Sequence, residues 1–213
     1  MKTVIFNPYK TENIPAFFNS VLNENVTLDY IFFIFNDIAD EIKDIQEFTG
    51  KYVDLMKRMD LPFSFFPYYI HFNKTMVKTA KIPSPRARIT SKDYGKFDVI
   101  GSLGYGAFAI DVQKANEISF RFNEKYKKAF YMQNMVNAFV NAGKWISYIQ
   151  FVDVMDSFSL MKKNIKTGYE ISNNVFQKEK EEFMKENTFQ TIDMNEFIKR
   201  IKERYGEKKN DAV

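Results

Sequence analysis

The first part of the chain alternates between continuous apolar runs and apolar residues at helical spacing. A β-branched and aromatic run at 3–7 and a nearly continuous apolar run at 28–35 both predict strands. Between them the pattern indicates a helix, with Thr11 or Asn13 as its cap and Pro15 in its first turn. This order predicts a βαβ unit with a parallel strand pair, and an all-apolar strand suits a sheet covered on both faces.

The rest of the chain predicts further elements around the same sheet. Apolar residues at spacings of three and four indicate one helix over 38–59, before an aromatic strand-like run at 63–72 that Pro67 interrupts. Asp111 is predicted to cap a helix that follows a strand at 107–110. The remaining predicted elements are a helix at 131–142 ended by Gly143, a strand at 145–154, and amphipathic helices at 173–185 and 194–206.

These elements predict an α/β fold with a mostly parallel central sheet, helices on both faces and a C-terminal helical extension. The α/β domain is expected to span residues 1–159 and the helical extension residues 160–206, with 207–213 as a disordered tail. We expect the extension to pack back on the domain or on a partner.

Positive charge is concentrated in one part of the chain, although the net charge is only +4. Residues 74–96, which we call the basic segment, carry seven Lys and Arg side chains and one Asp. Such a concentration is typical of proteins that bind phosphate groups, and a solvated loop is the alternative. Within the segment, Arg86 and Arg88 follow two prolines in an extended stretch, so alternation puts both on one side. Guanidinium groups so placed suit a diphosphate or a nucleic-acid backbone.

Composition limits the classes of protein that fit. The chain has no cysteine, which excludes disulfides and zinc–thiolate sites and fits a reducing compartment. The N-terminal apolar stretch is too short for a signal peptide, and the longest apolar run, at 30–35, is too short to span a bilayer. We therefore predict a soluble, cytoplasmic protein. Its 23 Phe and 12 Tyr residues are expected mostly in the core, with some lining a pocket.

Three consecutive motifs suggest a family. The glycine-rich G-S-L-G-Y-G-A-F-A-I-D is followed by I-S-F-R-F-N-E and then by Y-M-Q-N-M-V-N-A-F-V-N-A-G-K-W, a helix closed by glycine. In the N-terminal βαβ unit, Pro8-Tyr9 follows the first strand and the polar pair Asn36-Asp37 follows the second. In order and spacing these features resemble glycosyltransferases of the GT-A fold, especially family-2-like ones, over more than half of the chain.

The resemblance implies a nucleotide-sugar donor bound over the carboxyl ends of the parallel strands, where ligands of open α/β sheets generally bind. It implies that Asp37 contacts the base or ribose, with helix capping as the alternative. Tyr9 lies in the turn after the first strand, where its ring either stacks on the base or only takes part in the turn. The predicted donor-binding residues are Asn7, Tyr9, Asn36, Asp37, Arg86 and Arg88, the two arginines facing the diphosphate.

Two features of these enzymes are missing. The sequence has no Asp-x-Asp, which holds a divalent metal against the donor diphosphate, and Gln133-Asn134 replaces the acidic pair that supplies the general base. An amide cannot accept a proton near neutral pH, so we predict Glu124 or Asp153 as the base. Predicted oxygen ligands of a divalent Mg or Mn ion are Asp37, Asp153 and Asp156. The last two alternatively form a turn.

The acceptor is predicted to carry a hydroxyl group, and the local positive charge favours a hydroxymethylated base in DNA. A composition rich in Lys, Asn, Ile and Phe, like that of AT-rich bacteriophage genomes, points the same way. A base in a duplex must be flipped out before it reacts, and aromatic side chains can receive it. The alternatives are a glycan or lipid-linked sugar, or a non-catalytic nucleic-acid-binding protein on a degenerate transferase scaffold. Predicted acceptor-binding residues are Lys74, Lys78, Tyr68, Tyr69 and Gly104.

Overall fold

The computed structural model describes residues 1–40, 42–66, 70–71, 86–91, 95–100, 107–142, 149–151, 169–170, 172–187, 199–200 and 202–204. The strands are β1 (Lys2–Phe6), β2 (Tyr30–Phe35), β3 (Phe63–Phe66), β4 (Ile70–His71), β5 (Arg86–Ser91), β6 (Gly95–Ile100), β7 (Ala107–Asp111), β8 (Ile149–Phe151) and β9 (Tyr169–Glu170). The helices are α1 (Ile14–Glu24), α2 (Asn36–Ala39), α3 (Ile45–Arg58), α4 (Val112–Glu117), α5 (Tyr131–Asn141) and α6 (Asn173–Glu186). In these parts of the chain no helix is long and apolar enough to cross a membrane.

Four strands form the central sheet in the order β1-β2-β7-β3. β1 and β2 pair in parallel, which confirms the predicted βαβ unit, whereas β7 runs antiparallel to both of its neighbours. The α/β class is therefore confirmed, but this sheet is mixed rather than mostly parallel. The reason is that β7 starts at Ala107 beside Phe66, where β3 ends. A strand that enters a sheet at the edge where its neighbour leaves runs antiparallel to that neighbour.

Both faces of the central sheet are covered, as expected from the all-apolar β2, whose six residues are buried. On one face, Phe18 of α1 contacts the rings of Phe33 and Phe108, which stack on each other with centroids 5.0 Å apart. On the other face, the ring of Phe32 meets that of Tyr52 of α3 edge-on. Burial of rings this large dominates the stability of a core.

The predicted single helix over 38–59 is wrong, because the chain forms two helices there. α2 ends at Ala39, and α3 begins at Ile45 after its cap, Asp44. The Asp44 carboxylate accepts a hydrogen bond from the backbone N–H of Glu47 at 2.8 Å. Such a cap satisfies an N–H that a new helix leaves without a partner, so it starts a helix within a continuous apolar pattern.

Other predicted helix boundaries are confirmed. Asn13 caps α1 by accepting a hydrogen bond from the backbone N–H of Ala16 at 3.0 Å. Asp111 caps α4 in the same way through the N–H of Lys114, also at 3.0 Å. The helix predicted at 173–185 is α6, which ends one residue later. Gly143, the predicted end of the helix now seen as α5, lies outside the described residues.

Two smaller sheets accompany the central one. β5, β6 and β8 form a three-stranded antiparallel sheet, and β4 pairs with β9 in parallel. The extended stretch predicted in the basic segment is therefore one strand of a β5–β6 hairpin. β8 is the described part of the strand predicted at 145–154. It lies beside β3, which is one of the two outer strands in the order given for the central sheet.

Candidate functional site

Three strands end at one edge of the central sheet, which we call the carboxyl edge. Phe6 of β1 pairs with Phe35 of β2, so the residues that follow them, Asn7 and Asn36, leave the sheet side by side. β3 runs in the same direction and ends at the same edge with Phe66. Ligands of open α/β sheets generally bind outside the carboxyl ends of strands, so the carboxyl edge is the candidate ligand site.

Asn7 shapes the turn that leaves β1. Its side-chain Oδ1 accepts hydrogen bonds from the backbone N–H groups of Tyr9 and Lys10 at 2.9 and 3.2 Å. Its carbonyl oxygen accepts one from the Thr11 hydroxyl at 2.8 Å. Asparagine commonly closes turns in this way, so the described bonds of Asn7 serve the fold. Tyr9, within the 7–11 turn, is 49% exposed.

Asn36 places a buried polar atom at the carboxyl edge. Its side-chain Oδ1 is buried, yet no group in the described part of the chain donates a hydrogen bond to it. A buried acceptor without a donor costs about 1–3 kcal/mol, so such atoms are rare in native proteins. A ligand N–H or O–H group at this edge would supply the missing donor.

Asp37 follows Asn36 within α2, which begins at Asn36 with Phe35 as its N-cap. Asp37 is therefore not the cap of this helix, which was the alternative to a role in ligand binding. Its side chain lies outside what the structure describes, so its contact with a nucleoside stays a prediction.

A loop at 123–130 packs against the start of α1, immediately after the 7–11 turn. The Asn13 side-chain amide donates a hydrogen bond to the carbonyl oxygen of Glu124 at 3.0 Å. The backbone N–H of Ile14 donates to the carbonyl oxygen of Lys127 at 3.1 Å. The loop therefore flanks the carboxyl edge on the side of α1.

Lys128 ties this loop to the turn itself. Its ammonium group donates hydrogen bonds to the carbonyl oxygens of Pro8, at 3.1 Å, and Thr11. Burial lowers the pKa of Lys128 below its ordinary value, against the opposing attraction of Glu179 and Glu12. Sequence reasoning missed Lys128, because no local pattern shows that residues more than a hundred positions apart meet in the fold.

Glu124, a predicted general base, is exposed and lies beside α1. One of its carboxylate oxygens accepts a hydrogen bond from the Asn19 side-chain amide at 2.9 Å. Asn19 is itself buried, and it also bonds both the N–H and the carbonyl oxygen of Phe122. α1 therefore fixes the position of Glu124, and its catalytic role stays a prediction.

Asn134 is the residue that, by the sequence resemblance, replaces the acidic general base. Its side-chain Oδ1 accepts a hydrogen bond from the backbone N–H of Asn123 at 3.0 Å. Asn134 and its neighbour Gln133 lie in the first turn of α5. The amide of Asn134 thus holds the start of the 123–130 loop, which is a structural task.

Arg86 and Arg88 occupy alternate positions of β5, and therefore one face of that strand. The pairing with β6 puts Ile100 opposite Arg86 and Asp98 opposite Arg88. Opposite charges at paired positions attract each other across an antiparallel sheet. Sequence reasoning missed Asp98, because only the strand register shows which residue lies across from each arginine.

The structure leaves several predicted site residues undescribed. Among the residues that it does describe, no group of three or more His, Cys, Asp and Glu side chains could hold a metal ion. The predicted residues outside the described ranges are Tyr68, Tyr69, Lys74, Lys78, Gly104, Asp153 and Asp156.

The opposite edge of the central sheet carries a polar cluster of its own. Lys114 donates hydrogen bonds to the carboxylates of Asp60 and Asp111 at 2.5 and 3.3 Å. Burial raises the pKa of Tyr30 to about 12, and a hydrogen bond to Asp111 adds to this effect. Charges and hydrogen-bonding groups in this cluster satisfy one another, so the cluster needs no ligand.

Comparisons with models of protein families, with curated proteins and with solved structures gave no match to this chain.

Proposed function

We propose that the protein binds a nucleotide sugar at the carboxyl edge and transfers the sugar to a hydroxyl group of an acceptor. The observation that carries this proposal is the buried Oδ1 of Asn36, which lacks a donor among the described groups at the place where open α/β sheets bind nucleotides. A nucleoside offers N–H and O–H donors of the required kind. The half-exposed ring of Tyr9 on the neighbouring turn offers a stacking surface for the base.

The proposed reaction needs positive charge at the leaving group. The acceptor oxygen forms a bond to the anomeric carbon, the bond from that carbon to the diphosphate oxygen breaks, and the acceptor proton passes to Glu124 or Asp153. The nucleoside diphosphate leaves with increased negative charge, which arginine side chains stabilise well. Arg86 and Arg88 share one face of β5, but Arg88 lies opposite Asp98. We therefore assign Arg86 the larger share of the contact with the diphosphate.

The acceptor that the sequence favours is a hydroxymethylated base in DNA, because the basic segment concentrates cations that suit a phosphate backbone. A glycan or a lipid-linked sugar is the alternative acceptor. In either case Lys74, Lys78 and the aromatic residues at 68–69 are proposed to contact the acceptor, whereas Arg86 and Arg88 are proposed to contact the donor.

The test measures release of free nucleoside diphosphate from a panel of UDP- and GDP-sugars, with modified DNA, glycans or lipid-linked sugars as acceptors. We expect turnover with one combination, loss of turnover in Asp37→Ala, and a larger loss of donor affinity in Arg86→Ala than in Arg88→Ala. Exposed Lys57→Ala on α3 is the control. Absence of nucleotide binding in the unchanged protein would remove the proposal.

A second candidate is a non-catalytic protein that binds nucleic acid. It is favoured by Asn134, because the amide at the position of the general base is held in a structural hydrogen bond to Asn123. Tight DNA binding that weakens steeply with salt, without nucleoside diphosphate release from any donor, would support this candidate over the transferase.

A further inference from the structure

We propose that Glu179 and Lys128 form a positioning link through which α6 holds the 7–11 turn beside the carboxyl edge. The link connects three parts of the chain that lie far apart in sequence, namely the turn, the 123–130 loop and α6. The existence of the link does not depend on the proposed function. Only its role does, which is to hold the turn that carries Tyr9 next to a bound nucleotide.

Glu179 joins α6 to the loop. It lies in the middle of α6 and is 5% exposed. Its carboxylate accepts hydrogen bonds from the backbone N–H groups of Ala129 at 2.7 Å and Lys128 at 3.2 Å. Burial raises the pKa of Glu179, although these N–H groups act in the opposite direction. A buried carboxylate is unfavourable unless it is well bonded, so this contact fixes the backbone at 128 and 129.

Lys128 joins the loop to the turn. With its backbone fixed by Glu179, its side chain reaches the carbonyl oxygens of Pro8 and Thr11. These two carbonyls lie on either side of Tyr9 and Lys10, so one ammonium group holds both ends of the turn. Hydrogen bonds from a charged donor are stronger than those between neutral groups.

Other contacts keep α6 docked independently of Glu179. The ring of Phe183, which is fully buried, packs edge-on against Tyr126 with centroids 5.4 Å apart. Near the end of α6, Glu186 accepts hydrogen bonds from the Tyr126 hydroxyl at 2.9 Å and from the Lys125 ammonium group at 2.6 Å. A change at Glu186 therefore removes contacts between the same helix and the same loop without touching the link, which makes it a matched control for Glu179.

Hydrogen–deuterium exchange in the full chain tests the link without any ligand. The N–H groups of residues 9–11 all donate to Asn7, so their exchange reports opening of the turn. We expect Lys128→Met and Glu179→Ala to speed this exchange about tenfold, which corresponds to about 1.4 kcal/mol. Glu179→Gln keeps an acceptor oxygen and is expected to have a smaller effect. Glu186→Gln is expected to leave the turn unchanged.

Exchange in β2, measured in the same samples, separates a local effect from a loss of overall stability, because all of β2 lies in the core. Faster exchange confined to the turn in both link variants supports the proposal. Three results overturn it: unchanged exchange of the turn, an equal increase in Glu186→Gln, or an equal increase in β2. Glu179→Gln provides the same comparison if Glu179→Ala does not fold.

Binding of UDP and GDP by calorimetry tests what the link positions. We expect Lys128→Met to weaken nucleoside diphosphate binding about tenfold while exchange in β2 stays unchanged. Equal affinity of the unchanged protein and both link variants would overturn the positioning role. If the unchanged protein binds neither nucleotide, the proposed function fails, and the exchange experiment still decides whether the link exists.

Discussion

The two edges of the central sheet differ in how their polar groups are satisfied. At the opposite edge, Asp111 accepts hydrogen bonds from the backbone and the ammonium group of Lys114, which also reaches Asp60. At the carboxyl edge, the buried Oδ1 of Asn36 receives no hydrogen bond from the described residues. Both edges combine burial with polarity, but the described residues leave a buried acceptor without a donor at the second edge. The difference separates a cluster whose polar groups bond one another from the edge at which we propose that a ligand binds.

Two half-buried lysines show the same contrast. Burial lowers the pKa of a lysine, and at Lys114 the carboxylates of Asp60 and Asp111 outweigh this effect, so the pKa is raised. At Lys128 burial prevails over the attraction of Glu179 and Glu12, so the pKa is lowered. Its described hydrogen bonds go to the carbonyl oxygens of Pro8 and Thr11. The charge of Lys114 is compensated within its cluster, whereas that of Lys128 is directed at the backbone of the 7–11 turn.

The largest effect is expected at the opposite edge. Asp111→Ala removes the cap of α4 and leaves the hydroxyl of Tyr30 and the ammonium group of Lys114 without this partner. We expect it to lower the free energy of unfolding by about 3 kcal/mol, measured by urea denaturation. Asp111→Asn keeps the capping oxygen and is expected to lower it by less. Nucleotide affinity should be unchanged in both, and a loss of affinity as large as that of a carboxyl-edge variant would contradict the separation of the two edges.

The next largest effect on stability compares Asn19, whose side chain is hydrogen-bonded, with Asn36, whose Oδ1 has no described donor. Asn19→Leu leaves the N–H and the carbonyl oxygen of Phe122 without their hydrogen-bond partner. It should lower the free energy of unfolding by about 2 kcal/mol. Asn36→Leu removes an acceptor without a described donor, so stability should stay equal or rise by up to about 1 kcal/mol.

Nucleotide binding should respond to these two substitutions in the opposite order. Asn36→Leu is expected to weaken the affinity for the nucleoside diphosphate about tenfold, as calorimetry would show. Clear destabilisation by Asn36→Leu would mean that its Oδ1 already serves the fold, and the carboxyl edge would then lose its distinction.

Local features of the fold were readable from the sequence because they depend on neighbouring residues. The all-apolar β2, the Asn13 and Asp111 caps and the extent of α6 follow from periodicity and capping chemistry within a few positions. The direction of β7 was not readable, since it depends on the edge at which the chain re-enters the sheet.

The candidate site also has features that were predictable from the sequence and features that were not. The position of Asn36 at the end of a strand followed from the apolar pattern, because strand ends are local features. That no described residue donates to its Oδ1 did not follow, since the bonding of a buried atom depends on every group that folding brings near it. Lys128 and Glu179 were missed for the same reason, as their contacts cross about 50 to 120 residues of sequence.

The smallest effect is a pH dependence of opposite sign at the two lysines. The folded-state pKa of Lys114 is raised, so its contribution to stability is present below the ordinary lysine value of 10.5 and is lost as the pH rises through the raised pKa. The folded-state pKa of Lys128 is lowered, so the unfolded chain binds more protons between the two values. Stability relative to a variant without this lysine therefore increases as the pH rises through the lowered pKa towards 10.5.

Urea denaturation of Lys114→Met and Lys128→Met from about pH 8 to about pH 11, with Lys57→Met on α3 as control, should show differences of about 1 kcal/mol or less. If stability changed with pH in the same direction for both lysines, their electrostatic surroundings would be alike. The contrast between the two edges would then not extend to their charged groups.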